Sequence, residues 1–265
     1  IMKVLNPWDI IEQYADDPLK ILEELGGYYE VLKDKEGNRL TPLVGYAGKY
    51  QTSDGKELQY VGDVYANFAK AEEHPGAIAW FTKVLWEKLI TRTPTVYVGP
   101  QMGGVAVAQF LAYHAYVNRY PARYACAEKI VTQVKTDTLR EQSELQFARH
   151  SVNPGDSVII AEDVLNNFST TSQLIGLVEK QGGHVRAITA LLNRSMTIKD
   201  EYIHNGKSIL VIPLVYKPYP EYKQDDPEVV KDIEKDNVVR KPKNEWGKLM
   251  EPLKAMRLAM ASNGS

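Results

Sequence analysis

Two carboxylates stand next to each other at Glu162 and Asp163, directly after the apolar run V-I-I-A that starts at Val158. Behind them comes the polar stretch V-L-N-N-F-S-T-T-S, and then a segment with helical spacing. Ending a buried strand in two negative charges costs several kcal/mol, of order the penalty for an unsatisfied ion, unless donors meet them. The vicinal hydroxyls of a sugar are suited donors. Ser169, Thr170, Thr171 and Ser172 follow where a helix begins, and backbone amides at a helix start can hold an anion such as phosphate. The same letters also fit an acidic strand end followed by an ordinary Ser/Thr helix cap.

A second candidate is V-G-P-Q-M-G-G, residues 98–104. Glycines let backbone N–H groups approach an anion, and the helix that follows adds the positive end of its dipole. Alone, such a turn can be nothing more than tight. It is not a P-loop, because no G-K-[ST] follows, and its spacing is not that of the dinucleotide fingerprint.

These loops need strands to carry them. Short apolar runs at Thr95–Val98, Arg123–Ala127, Val158–Ala161, Val185–Leu192 and Ser208–Val215 alternate with helical patterns. The helices expected are 77–90, 105–116 and 171–180. Such alternation implies an α/β fold with a doubly wound parallel sheet, whose ligands bind at the carboxyl ends of the strands. Residues 130–144 are polar and aperiodic and read as a mobile loop. Ahead of the sheet, residues 8–25 form two short helices broken at Pro18. Residues 28–68, rich in Tyr and Val and cut by K-E-G-N and S-D-G-K, read as two β-hairpins. The chain divides into an N-terminal helical and β region (1–70), a core (71–215), and a polar, Pro-rich extension (216–265) with a helix around Trp246 that packs on the core or the hairpin region.

Composition excludes some functions. A net charge of −2 leaves no basic surplus for a nucleic-acid backbone. The single cysteine, Cys126, allows neither an intrachain disulfide framework nor a multi-cysteine metal site. The five histidines show no metal-ligand spacing. No long apolar run suggests a signal peptide or membrane span, so a cytoplasmic protein without a membrane partner is expected.

The acidic motif with its hydroxyl loop resembles the ribose-phosphate-binding motif of the type I phosphoribosyltransferases, and among them the orotate phosphoribosyltransferases. V-G-P-Q-M-G-G resembles their pyrophosphate loop. Y-A-C-A-E-K, residues 124–129, resembles the strand entering their flexible catalytic loop, and Q-F-A-R-H-S-V-N-P-G-D-S-V-I-I the segment that follows it. S-D-G-K-E-L-Q-Y, residues 53–60, is a fainter match near the N-terminus. The likeness spans roughly residues 50–195. It implies a phosphoribosyltransferase core under an N-terminal β-containing hood, acting on phosphoribosyl pyrophosphate with Mg²⁺ and a nucleobase, orotate first, in pyrimidine nucleotide synthesis. A purine or nicotinamide-like base, or a non-catalytic regulator that binds the same ligand, is the alternative.

On this resemblance Glu162 and Asp163 grip the ribose hydroxyls and offset charge at the anomeric carbon. Asn166, Asn167, Phe168, Ser169, Thr170 and Thr171 surround the 5′-phosphate. Gln101, Met102 and Gly103 offer backbone contacts to pyrophosphate, and Lys129 with Lys135 or Arg140 neutralises it as it leaves. Lys56 and Tyr60 touch the base. No side chain ligates the metal directly, and a homodimer is implied. Two departures stand out. The family's T-T-G-G-[ST] loop reads N-N-F-S-T here, so Phe168 replaces a glycine and the loop geometry is expected to differ. The usual K-D-H-G pattern of the flexible loop is missing.

Overall fold

The computed structural model describes residues 6–133 and 142–262. In chain order the strands are β1 (Tyr28–Glu30), β2 (Leu43–Gln51), β3 (Glu57–Gly62), β4 (Val64–Ala66), β5 (Val96–Pro100), β6 (Arg123–Gln133), β7 (Gln142–Gln146), β8 (Ser157–Leu165), β9 (His184–Asn193), β10 (Glu201–His204), β11 (Lys207–Tyr216) and β12 (Val238–Val239). The helices are α1 (Pro7–Gln13), α2 (Pro18–Glu24), α3 (Ala69–Glu72), α4 (Pro75–Leu89), α5 (Gly103–Val117), α6 (Ser169–Lys180), α7 (Val230–Glu234) and α8 (Trp246–Ser262). Two compact units emerge. One comprises Ile1–Pro18 and Ala71–Pro218, the other Leu19–Lys70 and Tyr219–Ser265.

The first unit is built on a sheet ordered β10-β11-β9-β8-β5-β6-β7. The inner pairs β11/β9, β9/β8, β8/β5 and β5/β6 are parallel, and β10 and β7 close the two edges antiparallel. This is the doubly wound α/β sheet expected. From β5 the chain crosses through α5 to β6 on one side, and β8 then takes the other side of β5. The winding therefore reverses between β5 and β8, and the loops after those two strands flank the crevice where such sheets bind ligands. Inner strands buried on both faces need near-continuous apolar runs, which is what β5, β8 and β9 supply. On one face Val96, Val98, Val158, Ile160, Ile188 and Ala190 pack against Leu174, Ile175 and Val178 of α6. Thr82 and His114, which α4 and α5 bury together, share a hydrogen bond of 3.2 Å. Burial pushes the His114 imidazole pKa down, and it serves as a satisfied core residue.

Three expectations are adjusted. β8 does not stop at Ala161 but runs through the acidic pair to Leu165, because its ladder with β9 continues at Glu162↔Ala190 and Val164↔Leu192. β6 likewise runs past Ala127 to Gln133 and pairs with β7, so both ends of the stretch expected as a loop are paired strand, while residues 134–141 lie outside the described residues. Strand β10, too short and polar to register as a pattern, forms a hairpin with β11 around Asn205 and Gly206, both at positive φ.

The second unit joins both ends of the chain. β2 and β3 form the hairpin expected at S-D-G-K, with Gly55 at φ 80° in its turn. β1 pairs with β4, and β12 adds to β2 in parallel. Its core gathers Tyr29, Val44 and Tyr46 with Val239, Leu249 and Leu253. A buried ion network ties it together. Asp63 receives Arg39 Nε at 2.6 Å and Lys33 Nζ at 2.8 Å, and Arg39 also reaches Asp232 at 3.2 Å. Residues 219–262 are thus integral to this unit. No helix among the described residues is long and apolar enough to cross a membrane.

Candidate active site

The site forms at the carboxyl edge of the sheet, between β5 and β8. Three glycines let these elements meet. A Cβ on Gly99 would collide with the Gly104 carbonyl, and one on Gly104 with Ala161 O and Pro100. A Cβ on Gly103 would strike the Asp163 carboxylate. The G-P-Q-M-G-G turn is therefore tight because the start of α5 lies directly against the end of β8. Asp163 ends up at the positive end of α5, and its Oδ1 also accepts the Val164 amide at 2.8 Å.

Strand alternation separates the two acids. Val158 and Ile160 face α6, so Glu162 faces that side, whereas Asp163 faces Gly103 and α5. Glu162 is only 8% exposed. Its carboxyl pKa is pushed well above the usual range, first by burial and then by the charge of Asp163. A third carboxylate, Glu72 at the end of α3, is raised by burial and by the same Asp163 charge. Three acidic groups therefore share one electrostatic neighbourhood. Among the described residues no group of three or more His, Cys, Asp or Glu could hold a metal ion.

Phe168 resolves the question posed by the altered loop. It takes φ 60°, ψ 16°, the left-handed conformation open to glycine, at the N-cap of α6. Its ring turns inward, 2% exposed, and stacks on Tyr202 of β10 with centroids 5.0 Å apart and planes 15° apart. Left-handed backbone costs about 1–2 kcal/mol for a residue with a Cβ. Burying a phenyl ring returns about 1.5–3 kcal/mol, and a ring pair about 0.5–1.5 kcal/mol more, so burial wins. Phe168 thus holds the left-handed backbone at a cost that the burial of its ring offsets. The side chain is stowed in the core.

The rest of the loop prepares the start of α6. Asn167 Oδ1 accepts the Ser169 amide at 3.1 Å, and Ser172 N donates to Phe168 O at 2.8 Å. Ser169 and Thr170 are exposed and Thr171 is buried. The first-turn amides of Thr170 and Thr171 have no acceptor within the helix. In the other loop the Gln101–Met102 peptide is cis. The Gln101 amide donates to Ala127 O at 2.9 Å, which narrows the expected backbone contacts to Met102 and Gly103.

The structure thus brings Met102, Gly103, Glu162, Asp163 and the 166–171 loop to one edge. Lys129 lies exposed on β6, two residues after Ala127. Its neighbour Glu128 is clasped by Arg149 at 2.9 and 2.8 Å, which fixes the root of the β6–β7 hairpin. Lys135 and Arg140 fall outside the described residues. Lys56 and Tyr60 belong to the second unit. There Lys56 is exposed and paired with Asp54 at 2.7 Å, and Tyr60 leans on Tyr50 with ring centroids 5.0 Å apart.

Sequence reasoning passed over two residues. Arg194, 6% exposed, follows β9 at this edge, its amide donating to Leu165 O at 2.9 Å. The rule that exposed the acidic pair, charge directly after an apolar strand, applies equally to A-L-L-N-R and could have found it. Glu72 gives no local signal, because folding alone brings it within reach of Asp163.

No family model matches the chain. It is 27% identical to an orotate phosphoribosyltransferase of Caldanaerobacter subterraneus subsp. tengcongensis over 56% of its own length and 68% of the relative's. It is 28% identical to an adenine phosphoribosyltransferase of Clostridium tetani over 44% of this chain and 68% of that one. The matched part falls to 44% of another orotate phosphoribosyltransferase. A solved phosphoribosyltransferase structure from Corynebacterium diphtheriae aligns with 76% of this chain and 94% of its own, at TM-score 0.47 and 14% identity. The resemblance read from the motifs is borne out by the sequence relatives, which carry both orotate and adenine names.

Proposed function

We propose that this chain, a relative of the orotate and adenine phosphoribosyltransferases, is a pentosyltransferase that moves phosphoribose from phosphoribosyl pyrophosphate to a nitrogenous base and releases pyrophosphate. The observation that carries this is the apposition of Gly103 and Asp163 at the reversal of the sheet, since it joins an anion loop to a carboxylate that can hold a sugar. The Ser169–Thr171 turn takes the 5′-phosphate on the amides and hydroxyls at the start of α6. Met102 and Gly103 take the pyrophosphate. Lys129, with Lys135 or Arg140, neutralises it as the bond to the anomeric carbon breaks. The negative edge offsets charge developing on that carbon, the kind of term that dominates many enzymatic accelerations.

Mg²⁺ enters as part of the substrate. Pyrophosphate, ribose hydroxyls and water carry the ion, as is usual for Mg²⁺ on phosphate substrates. Orotate is the leading base. Lys56 and Tyr60 are its proposed contacts. A homodimer completes the reading, with the β6–β7 hairpin serving a neighbouring site.

Incubating the protein with phosphoribosyl pyrophosphate, Mg²⁺ and single bases, and following pyrophosphate release, tests this. Release with orotate and not with adenine is expected. Release with adenine alone would replace the base. Tight binding of the donor without release for any base would make the chain a binding protein.

A further inference from the structure

We propose that Glu162 works as a neutral carboxylic acid that donates a hydrogen bond to a ribose hydroxyl, while Asp163 alone carries the charge of the pair. The inference rests on the phosphoribosyl reading and assigns the two acids opposite roles within it.

The surroundings of the two side chains differ. Asp163 has the Val164 amide and the positive end of α5 to hold a charge. No hydrogen-bond donor among the described residues reaches the Glu162 carboxyl. β9 sets Ala190 beside it, and β9 carries no titratable side chain from Ala187 to Asn193. On β5 the sole titratable group is Tyr97, which alternation puts on the opposite face from Val96 and Val98. α6 carries charge only at Glu179 and Lys180, in its last turn. β6 brings Glu128, already clasped by Arg149, and the exposed Lys129. Neither these nor Arg194 neutralises Glu162. The charge acting on it is that of Asp163, which, like burial, opposes ionisation.

The ligand adds to this. Phosphoribosyl pyrophosphate is a polyanion, so its arrival disfavours a second carboxylate charge on the same edge. A buried carboxyl without donors is least costly with its proton on, and then it is a donor itself. The two acids thus offer a ribose diol one donor and one acceptor.

Two measurements test the assignment. Infrared difference spectra between wild type and Glu162→Gln, recorded near neutral pH, should contain a protonated-acid carbonyl band that belongs to Glu162. Calorimetric titration with Mg-phosphoribosyl pyrophosphate should rank the variants. Glu162→Ala weakens binding about tenfold, Glu162→Gln recovers most of that loss because an amide donates in the same place, and Asp163→Asn weakens binding by roughly 100-fold. Wild-type affinity falls as the pH rises through the Glu162 value, and that limb is absent in Glu162→Gln. A missing acid band, or a Gln variant no better than the Ala variant, overturns the proposal. Failure of wild type to bind the donor at any pH removes the ribose and the proposed function together, while the infrared band still decides the proton.

Discussion

Asp63 and Glu162 are both carboxylates with 8% of their surface exposed, yet they are treated in opposite ways. Asp63, in the second unit, meets Arg39 and Lys33, and these cations hold its carboxyl below the usual range although burial pushes it up. Glu162, in the sheet unit, meets no cation among the described residues, and its carboxyl is driven up by burial and by Asp163. Burial is common to both and so cannot separate a structural acid from a functional one. The partner does. A carboxylate that the fold itself satisfies has no free capacity for a ligand, whereas one left with burial and a like charge is poised for something that arrives from outside.

The sharpest way to break the contrast is at the stowed ring beside the open acid. Phe168→Ala should lose about 3–4 kcal/mol in denaturant unfolding, since the left-handed backbone remains and the buried ring that offsets it is gone. A loss below about 1 kcal/mol would mean that the ring does not anchor the loop. Next, Arg39→Ala moves Asp63 toward the situation of Glu162. It should cost about 3 kcal/mol, at the low end for a broken buried pair because Lys33 remains, and it should raise the Asp63 pKa in a carbon-13 NMR titration. Gly103→Ala should leave unfolding nearly unchanged but cut pyrophosphate release roughly 100-fold, because the new methyl displaces the Asp163 carboxylate. Full activity in that variant would remove the apposition on which the function rests.

The smallest effect concerns the shape of the stability curve. Glu162 has a folded-state pKa above its unfolded value. Its contribution is fully present below the unfolded value of about 4.3 and is lost as the pH rises through the folded value. Glu162→Gln should therefore flatten stability against pH over that window, with melting temperatures that converge with wild type in acid and exceed it at alkaline pH. Asp63 works in the other direction, its depressed pKa giving stability that is lost as pH falls through the folded value.

The strands that matter most were legible because burial on both faces demands long apolar runs, as in Val158–Ala161 and Val185–Leu192. Their ends were not. β8 extends through Glu162 and Asp163 because β9 is there to pair with it, and pairing is not written in either segment alone. The extension decides the site, since it sends the two acids to opposite faces. The backbone of Phe168 was illegible for a related reason. The ring that stacks on its side chain, Tyr202, lies 34 positions later in the sequence. β10 and β12 gave no signal, being short strands completed by distant partners.

The parallel pairing of Val238–Val239 with Leu43–Val44 orders events during synthesis. By the time Val238 and Val239 leave the ribosome, every strand of the larger sheet has already been translated, while the hairpin made far earlier still waits for its neighbour. The nascent protein would therefore carry a complete sheet and an incomplete second unit, whose early hydrophobic side chains stay uncovered until Val238 and Val239 emerge. Premature stop codons upstream of Val238 should spare the sheet and leave the hairpin region prey to proteases and chaperones.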